Sequence, residues 1–219
     1  MSVSTIHRKF STMVITISRQ YGAGGSEVAR LVAAKLGWSV VDNEIIDRVA
    51  ERAKLSPVDV ARQEERAPSF IERLARTLAV SSQELAVPGL GAAALPKDEP
   101  SLVRITEAVV KEVAAEGRVV LVGRAAPVVI GQLPDALHVK LVAPRQFRAK
   151  YAAQAEKLDP RAAEKYMEET DARRARYHRE HYGRDWDDPV HYHAILNTGL
   201  LGFEGAAEVV VGLARARGW

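Results

Sequence analysis

The stretch ITISRQYGAGGSEVAR, Ile15–Arg30, passes from an apolar run through a glycine-rich turn into a helical pattern. Met13–Ile17 is short, β-branched and bounded by polar residues, which predicts a buried strand. Beyond Gly24–Gly25, the residues Val28, Leu31, Val32 and Leu36 recur at helical spacing, and Gly37 supplies a C-terminal stop. A glycine-rich turn between strand and helix lets successive backbone N–H groups converge on anionic oxygens. The usual phosphate-loop pattern is G-x-x-x-x-G-K-[ST]. Laid over Arg19–Ser26, it matches at Gly24 and Ser26. It fails at Arg19, in the place of the first glycine, and at Gly25, in the place of the lysine. Taken alone, the stretch reads equally well as a tight turn with no ligand.

The alternation continues along the chain. SVV, followed by Asp42, is a second short strand; RVVLVG, ALHVKLV and AILNT are three more. ALHVKLV alternates apolar and polar residues more than a wholly buried strand would. Asn43–Lys54, Pro57–Arg66, Ser69–Leu78, Ser101–Glu116, Pro144–Glu156, Pro160–Arg179 and Phe203–Arg217 read as helices, with Ser101 as an N-cap. Val87–Pro100, rich in Gly, Ala and Pro, reads as a mobile loop. Strands alternating with helices predict an α/β fold with a parallel, five-stranded sheet covered on both faces. Ligands of such sheets bind beyond the carboxyl ends of the strands. Those ends carry Ser18–Ser26, Asp42, Gly123–Arg124 and Asn197–Thr198.

Composition bounds the function. A chain of 219 residues, 47% hydrophobic, suits one domain with a substantial core. With 31 basic and 28 acidic side chains, the net charge of +3 is too small and too dispersed to argue for nucleic-acid binding. It suits a protein that gathers a few arginines around an anionic small molecule. The absence of cysteine excludes disulfides, thiolate metal sites and a cysteine nucleophile. MVITI is far too short for a signal-peptide core or a membrane span, and nothing later is long enough, so a cytoplasmic protein without membrane contact is expected.

Four blocks stand in order: ITISRQYGAGGSEVARLVAAKLGWSVVDNEII, VVLVGRAAPVVI, LHVKLVAPRQFRAKY and DARRARYHREHYGRDWDDPVHYHAILNTGLLGFE. Together they resemble the cytidylate kinase-like family, a branch of the P-loop nucleoside monophosphate kinases. The resemblance covers nearly everything from Val14 to the C-terminal helix and weakens between Pro57 and Pro100. The branch pattern, S-R-x-[FY]-G-x-G-G, has no lysine, so its absence is typical of the branch. The resemblance implies a three-layer P-loop kinase sandwich over residues 13–219, behind a flexible tail at 1–12. It implies a helical acceptor-side insertion near 55–100 and a helical lid region near 144–192. It implies transfer of the γ-phosphoryl group of ATP, with Mg²⁺, to CMP or dCMP. Two alternatives stay open. Ala125, where these kinases usually carry Asp, favours a kinase of a non-nucleotide small molecule. Gly25 favours a nucleotide-binding regulator with little turnover. Nucleotides are the implied partners, and a homo-oligomer stays open.

Residue roles follow from the resemblance. Gly22, Gly24 and Gly25 supply the backbone cradle, and Ser26 the hydroxyl that ligates Mg²⁺. Arg19 either places a cation near the phosphates or is a surface arginine leaving a strand. Asp42 orients the acceptor or holds a metal-bound water, caps the next helix, or does both. Arg124 matches the G-R arginine that contacts the acceptor, and a guanidinium suits bidentate phosphate binding. DARRAR aligns with the lid, so Arg174, Asp171 and Arg176 are the expected catalytic residues. A charge run of this kind is otherwise a solvated helix face. Asn197 and Thr198 are placed by the donor base, or form a plain strand exit. Tyr177, Tyr182, Trp186 and Tyr192 are read as lid packing. His178, His181, His191 and His193 are clustered but not read as a metal site. Gly25 is expected in a left-handed backbone conformation.

Overall fold

The computed structural model describes residues 12–42, 99–123, 125–131 and 133–219. The expected helices Asn43–Lys54, Pro57–Arg66 and Ser69–Leu78 lie outside the described residues. So do Arg124, the tail except Thr12, and Val87–Pro100 except Glu99 and Pro100, which are helical.

Five strands form one sheet: β1 Val14–Arg19, β2 Ser39–Asp42, β3 Val119–Val122, β4 Ala136–Val142 and β5 Ala194–Asn197, in the order β2-β3-β1-β4-β5. Every pairing is parallel. The described helices are α1 Gly25–Leu36, α2 Glu99–Glu116, α3 Ala126–Ile130, α4 Arg145–Glu156, α5 Pro160–Tyr182 and α6 Thr198–Ala216.

Side chains alternate across the strands, so each strand feeds two cores. Ile15, Ile17, Val120, Val122, Val139 and Leu141 meet Val28 and Val32 of α1 and Val210 and Val211 of α6. Val14, Val119, Leu121 and Ala136 meet Val110 and Val113 of α2 and Ala126 and Ile130 of α3. Burial on both faces explains why VVLV is a continuous apolar run.

Three expectations need correction. α2 begins at Glu99, so Ser101 lies inside the helix and is not its N-cap. α6 begins at Thr198, ahead of the expected Phe203, and breaks at Gly202 (φ 68°, ψ 169°). Only glycine takes that conformation readily, so the expected helix is the segment after the break.

β4 is buried from Ala136 to Leu141, against the reading of its alternation. Its polar residues, His138 and Lys140, share a face with Thr16 and Ser18 of β1. The segment after α5 lies over that face. Lys140 Nζ donates to the Trp186 carbonyl and to Asp187 Oδ1, both at 2.6 Å, and sits 4.0 Å from the Trp186 ring centroid. Burial pulls this ammonium below its ordinary pKa, against the attraction of Asp187. Trp186 Nε1 donates to Ser18 Oγ at 2.9 Å. Trp186 therefore packs the sheet, beyond its expected place in the lid. Among the described residues no helix is long and apolar enough to cross a membrane.

Buried histidines make stability depend on acid. His138 Nε2 lies 2.8 Å from the Gly131 carbonyl, which can only accept, so Nδ1 accepts from Thr16 Oγ1 at 2.7 Å. His178 packs on Trp186. Burial, then the charge of Lys140, lowers its pKa from 6.5 to about 4. Burial also lowers His138. The unfolded chain therefore binds these protons first as pH falls. Their stabilising contribution is complete above the unfolded value near 6.5 and is lost progressively towards the folded one. His178 alone accounts for about 3 kcal/mol across that window. Urea midpoints should fall steadily from pH 7 to pH 4, and the fall should shrink in His178→Phe. A variant with the parent's full acid dependence would contradict the assignment.

Candidate active site

The loop between β1 and α1 lies at the carboxyl end of the central strand. Gly22 (φ 77°) and Gly24 (φ 74°) are left-handed, and Gly24 opens α1 without any side-chain cap. An uncapped first turn presents its N–H groups and the positive end of the helix dipole to an anion. Gly25 is the first residue of α1 and does not share the left-handed conformation, so that expectation is corrected.

The loop is held by side chains from distant elements. Asp171 of α5 accepts the Tyr21 amide at 2.7 Å. Arg148 of α4 donates to the Tyr21 carbonyl at 3.1 Å, to the Ala143 carbonyl at 3.1 Å and to Asp171 Oδ2 at 2.6 Å. Arg174 donates to the Arg19 carbonyl at 3.0 Å and lies 3.5 Å from Asp171 Oδ1. The Tyr21 hydroxyl donates to Glu156 at 2.6 Å, and its ring packs on Ala152, Ala163 and Met167. Burial raises the Asp171 carboxyl above its ordinary pKa, opposed by the Tyr21 amide and the two guanidinium groups. On the other side, the Thr198 hydroxyl lies 2.9 Å from the Ala23 carbonyl, to which it donates. A Cβ on Gly24 would come within 2.2 Å of the Phe203 ring, which the break at Gly202 brings there.

The expected site residues divide accordingly. Arg19, the three loop glycines, Ser26, Asp171, Arg174 and Thr198 gather at the loop. Arg19 is 7% exposed, which removes the surface reading. Ser26 is the second residue of α1. Arg176 is exposed and does not share the Arg174 face. Asn197 Oδ1 caps α6 by accepting the Gly199 amide at 3.0 Å, and Thr198 is fully buried. Asp42 ends β2 level with Val122, which is itself level with Ile17, so β3 separates it from the loop strand. Arg124 lies outside the described residues. Ala125 beside it is buried and left-handed (φ 52°). Reading the sequence missed Arg148, Glu156 and Phe203. Their partners lie far along the chain, and nothing local marks them.

A glycine loop after the central strand of a parallel sheet ordered 2-3-1-4-5, with helices on both faces, defines a P-loop kinase fold. The family model described as "Cytidylate kinase-like family" matches residues 14–200, and the chain belongs to that family. A crystal structure of an uncharacterized protein from Eubacterium ventriosum shares the fold at TM-score 0.64 and 18% identity, covering 93% of this chain and 99% of that one. Shikimate kinase from Bacteroides thetaiotaomicron aligns at TM-score 0.49 and 14% identity, covering 93% of this chain and 98% of that one. A gluconokinase from Sinorhizobium meliloti aligns at TM-score 0.48 and 14% identity, covering 94% and 95%. No curated protein sequence matches the chain.

Removing Asp171 tests the anchoring of the loop. A buried ion pair adds little net stability, but deleting one partner strands the other. Asp171→Ala leaves the Tyr21 amide without its acceptor and Arg148 without its carboxylate partner, and should cost about 2–3 kcal/mol. Urea unfolding measures the loss, and hydrogen exchange at the Tyr21 amide should quicken. Parental values in both would refute the anchor.

Proposed function

We propose that the protein transfers the γ-phosphoryl group of ATP to a nucleoside monophosphate, CMP or dCMP. The observation carrying this reading is the convergence of the uncapped loop, Arg19 and the α5 arginine Arg174 at one end of the sheet. Family membership supports the nucleotide acceptor.

The residues present fit ATP and Mg²⁺. Left-handed glycines and an uncapped helix suit the phosphates of a nucleotide. Mg²⁺ keeps most of its waters and takes one or two protein oxygens beside phosphate oxygens, so the Ser26 hydroxyl would hold it, and Asp42, across β3 from the loop strand, would order a coordinated water. When bound, the ion neutralises charge on the phosphate oxygens. Phosphoryl transfer needs positioning and charge neutralisation above all. An oxygen of the acceptor phosphate attacks the γ-phosphorus with its own electron pair. The bond to the β–γ bridging oxygen breaks, and ADP leaves with that pair. Arg174 stabilises the oxygens of the group in transit, and Arg124 clamps the acceptor phosphate. Asp171 positions Arg174 and the loop together. Asn197 and Thr198 shape the donor side through the helix and loop they hold.

One observation favours a second reading. Ala125, buried and without a polar side chain, stands where these kinases usually carry Asp. A site lacking that carboxylate suits a kinase of the same scaffold with a different, hydroxyl-bearing acceptor.

Two measurements decide. With MgATP and a panel of acceptors, ADP release should be fastest with CMP or dCMP. At pH 8 a phosphate acceptor releases no proton per transfer, whereas a hydroxyl acceptor releases one. Equal background rates with every monophosphate would defeat the nucleotide reading, and one proton per acceptor-dependent turnover, over the rate without acceptor, would identify the second. MgATP binding without acceptor-stimulated turnover would leave a regulator. Separately, Arg174→Ala should lower kcat by about 10³-fold or more with the fold retained and MgATP affinity changed far less than kcat. A kcat within tenfold of the parent would remove Arg174 from the transfer step.

A further inference from the structure

The two departures from the ordinary phosphate-loop pattern touch each other. Arg19 stands where that pattern has its first glycine, and Gly25 where it has its lysine. Arg19 is the last residue of β1, in regular strand conformation. A Cβ built on Gly25 would lie 2.8 Å from Arg19 Cγ and 3.0 Å from Cδ. Its three nearest neighbours are all Arg19 atoms. A Cβ on Gly123 would lie 2.3 Å from Arg19 Nη1 and 3.1 Å from Cζ. The aliphatic stem therefore crosses the first residue of α1, and the guanidinium lies over Gly123, just past the end of β3. Gly25 has a helical backbone that any residue could adopt, so the passage of Arg19 is what requires glycine there.

We propose that Arg19 is the phosphate-binding cation of this loop, and that positions 19 and 25 are one coupled exchange. The ordinary loop sends a lysine back from the start of the helix. This loop sends an arginine forward from the end of the strand, across the space that lysine would fill. The inference rests on the reading that the loop binds a nucleotide polyphosphate. The chemistry suits the place. A guanidinium keeps its charge when buried and offers paired donors to two phosphate oxygens. A rigid, packed stem fixes its position, which a flexible lysine lacks. Lying between the loop and the end of β3, it stands between the donor side and the strand that leads to Arg124. Gly25 is then no lesion in the loop.

A mutant cycle tests this with readouts that need no acceptor: MgATP affinity by calorimetry and thermal unfolding. Arg19→Met keeps the stem and removes the charge, and should weaken MgATP binding roughly 10- to 100-fold. Gly25→Ala adds one Cβ and should lower Tm in the parent but not beside Arg19→Gly. Gly25→Lys alone should weaken binding through the clash. Arg19→Gly with Gly25→Lys rebuilds the ordinary pattern and should bind MgATP within a few-fold of the parent. Parental affinity in Arg19→Met overturns the inference. So does a double variant that binds no better than Arg19→Gly. A parent that binds MgATP but phosphorylates no monophosphate defeats the acceptor reading and leaves this cycle decisive. A parent that binds no MgATP overturns both.

Discussion

The Tyr21 amide, donating to Asp171 at 2.7 Å, fixes the geometry on which the site depends. The loop closes one hydrogen bond of its own, from the Ala23 N–H to the Gln20 carbonyl at 3.2 Å. Much of its remaining support comes from other elements. Here it comes from α4 and α5 on one side, through Arg148, Asp171 and Arg174. On the other side it comes from α6, through Thr198 and Phe203. The glycines let these supports approach closely. At Gly24 and Gly25 a side chain would displace Phe203 or Arg19.

The same anchoring joins the loop to the helix that carries Arg174. Asp171 and Arg174 are three residues apart and share one face of α5. The contact that steadies the loop therefore also aims the arginine. Movement of α5 relative to the sheet would disturb both at once. The segment that follows α5 is tied down separately, where Lys140 meets Trp186 and Asp187. That buried cation is costly to desolvate, and two oxygens with an aromatic face offset the cost. It explains a lysine in the middle of a strand that is otherwise core.

Much of the fold was legible in the chain. Short β-branched runs separated by helical periods specify a parallel α/β sheet, because strands covered on both faces must be apolar throughout. The glycine-rich turn marked the loop, and the charged DARRAR block marked the helix that reaches it. The misreadings have local causes. β4 looked half-exposed because its polar residues face a segment more than 40 positions away in sequence. Asn197 and Thr198 read equally well as donor-side residues or as a strand exit, because a cap and a buried hydroxyl use the same residue types as a binding site.

The sequence by itself determined the strand-and-helix order, the place of the loop and the family pattern, since these depend on side-chain period and on glycine's backbone freedom. Only the tertiary structure decided what Gly25 is for, which arginine of α5 meets the loop, and that Arg148 supports it. The first depends on the path of the Arg19 side chain, and the other two on contacts more than 100 residues apart in sequence, Arg174 with Arg19 and Arg148 with Tyr21. A helix face or a rotamer is chosen by what packs against it, and the chain records that choice only once it has folded.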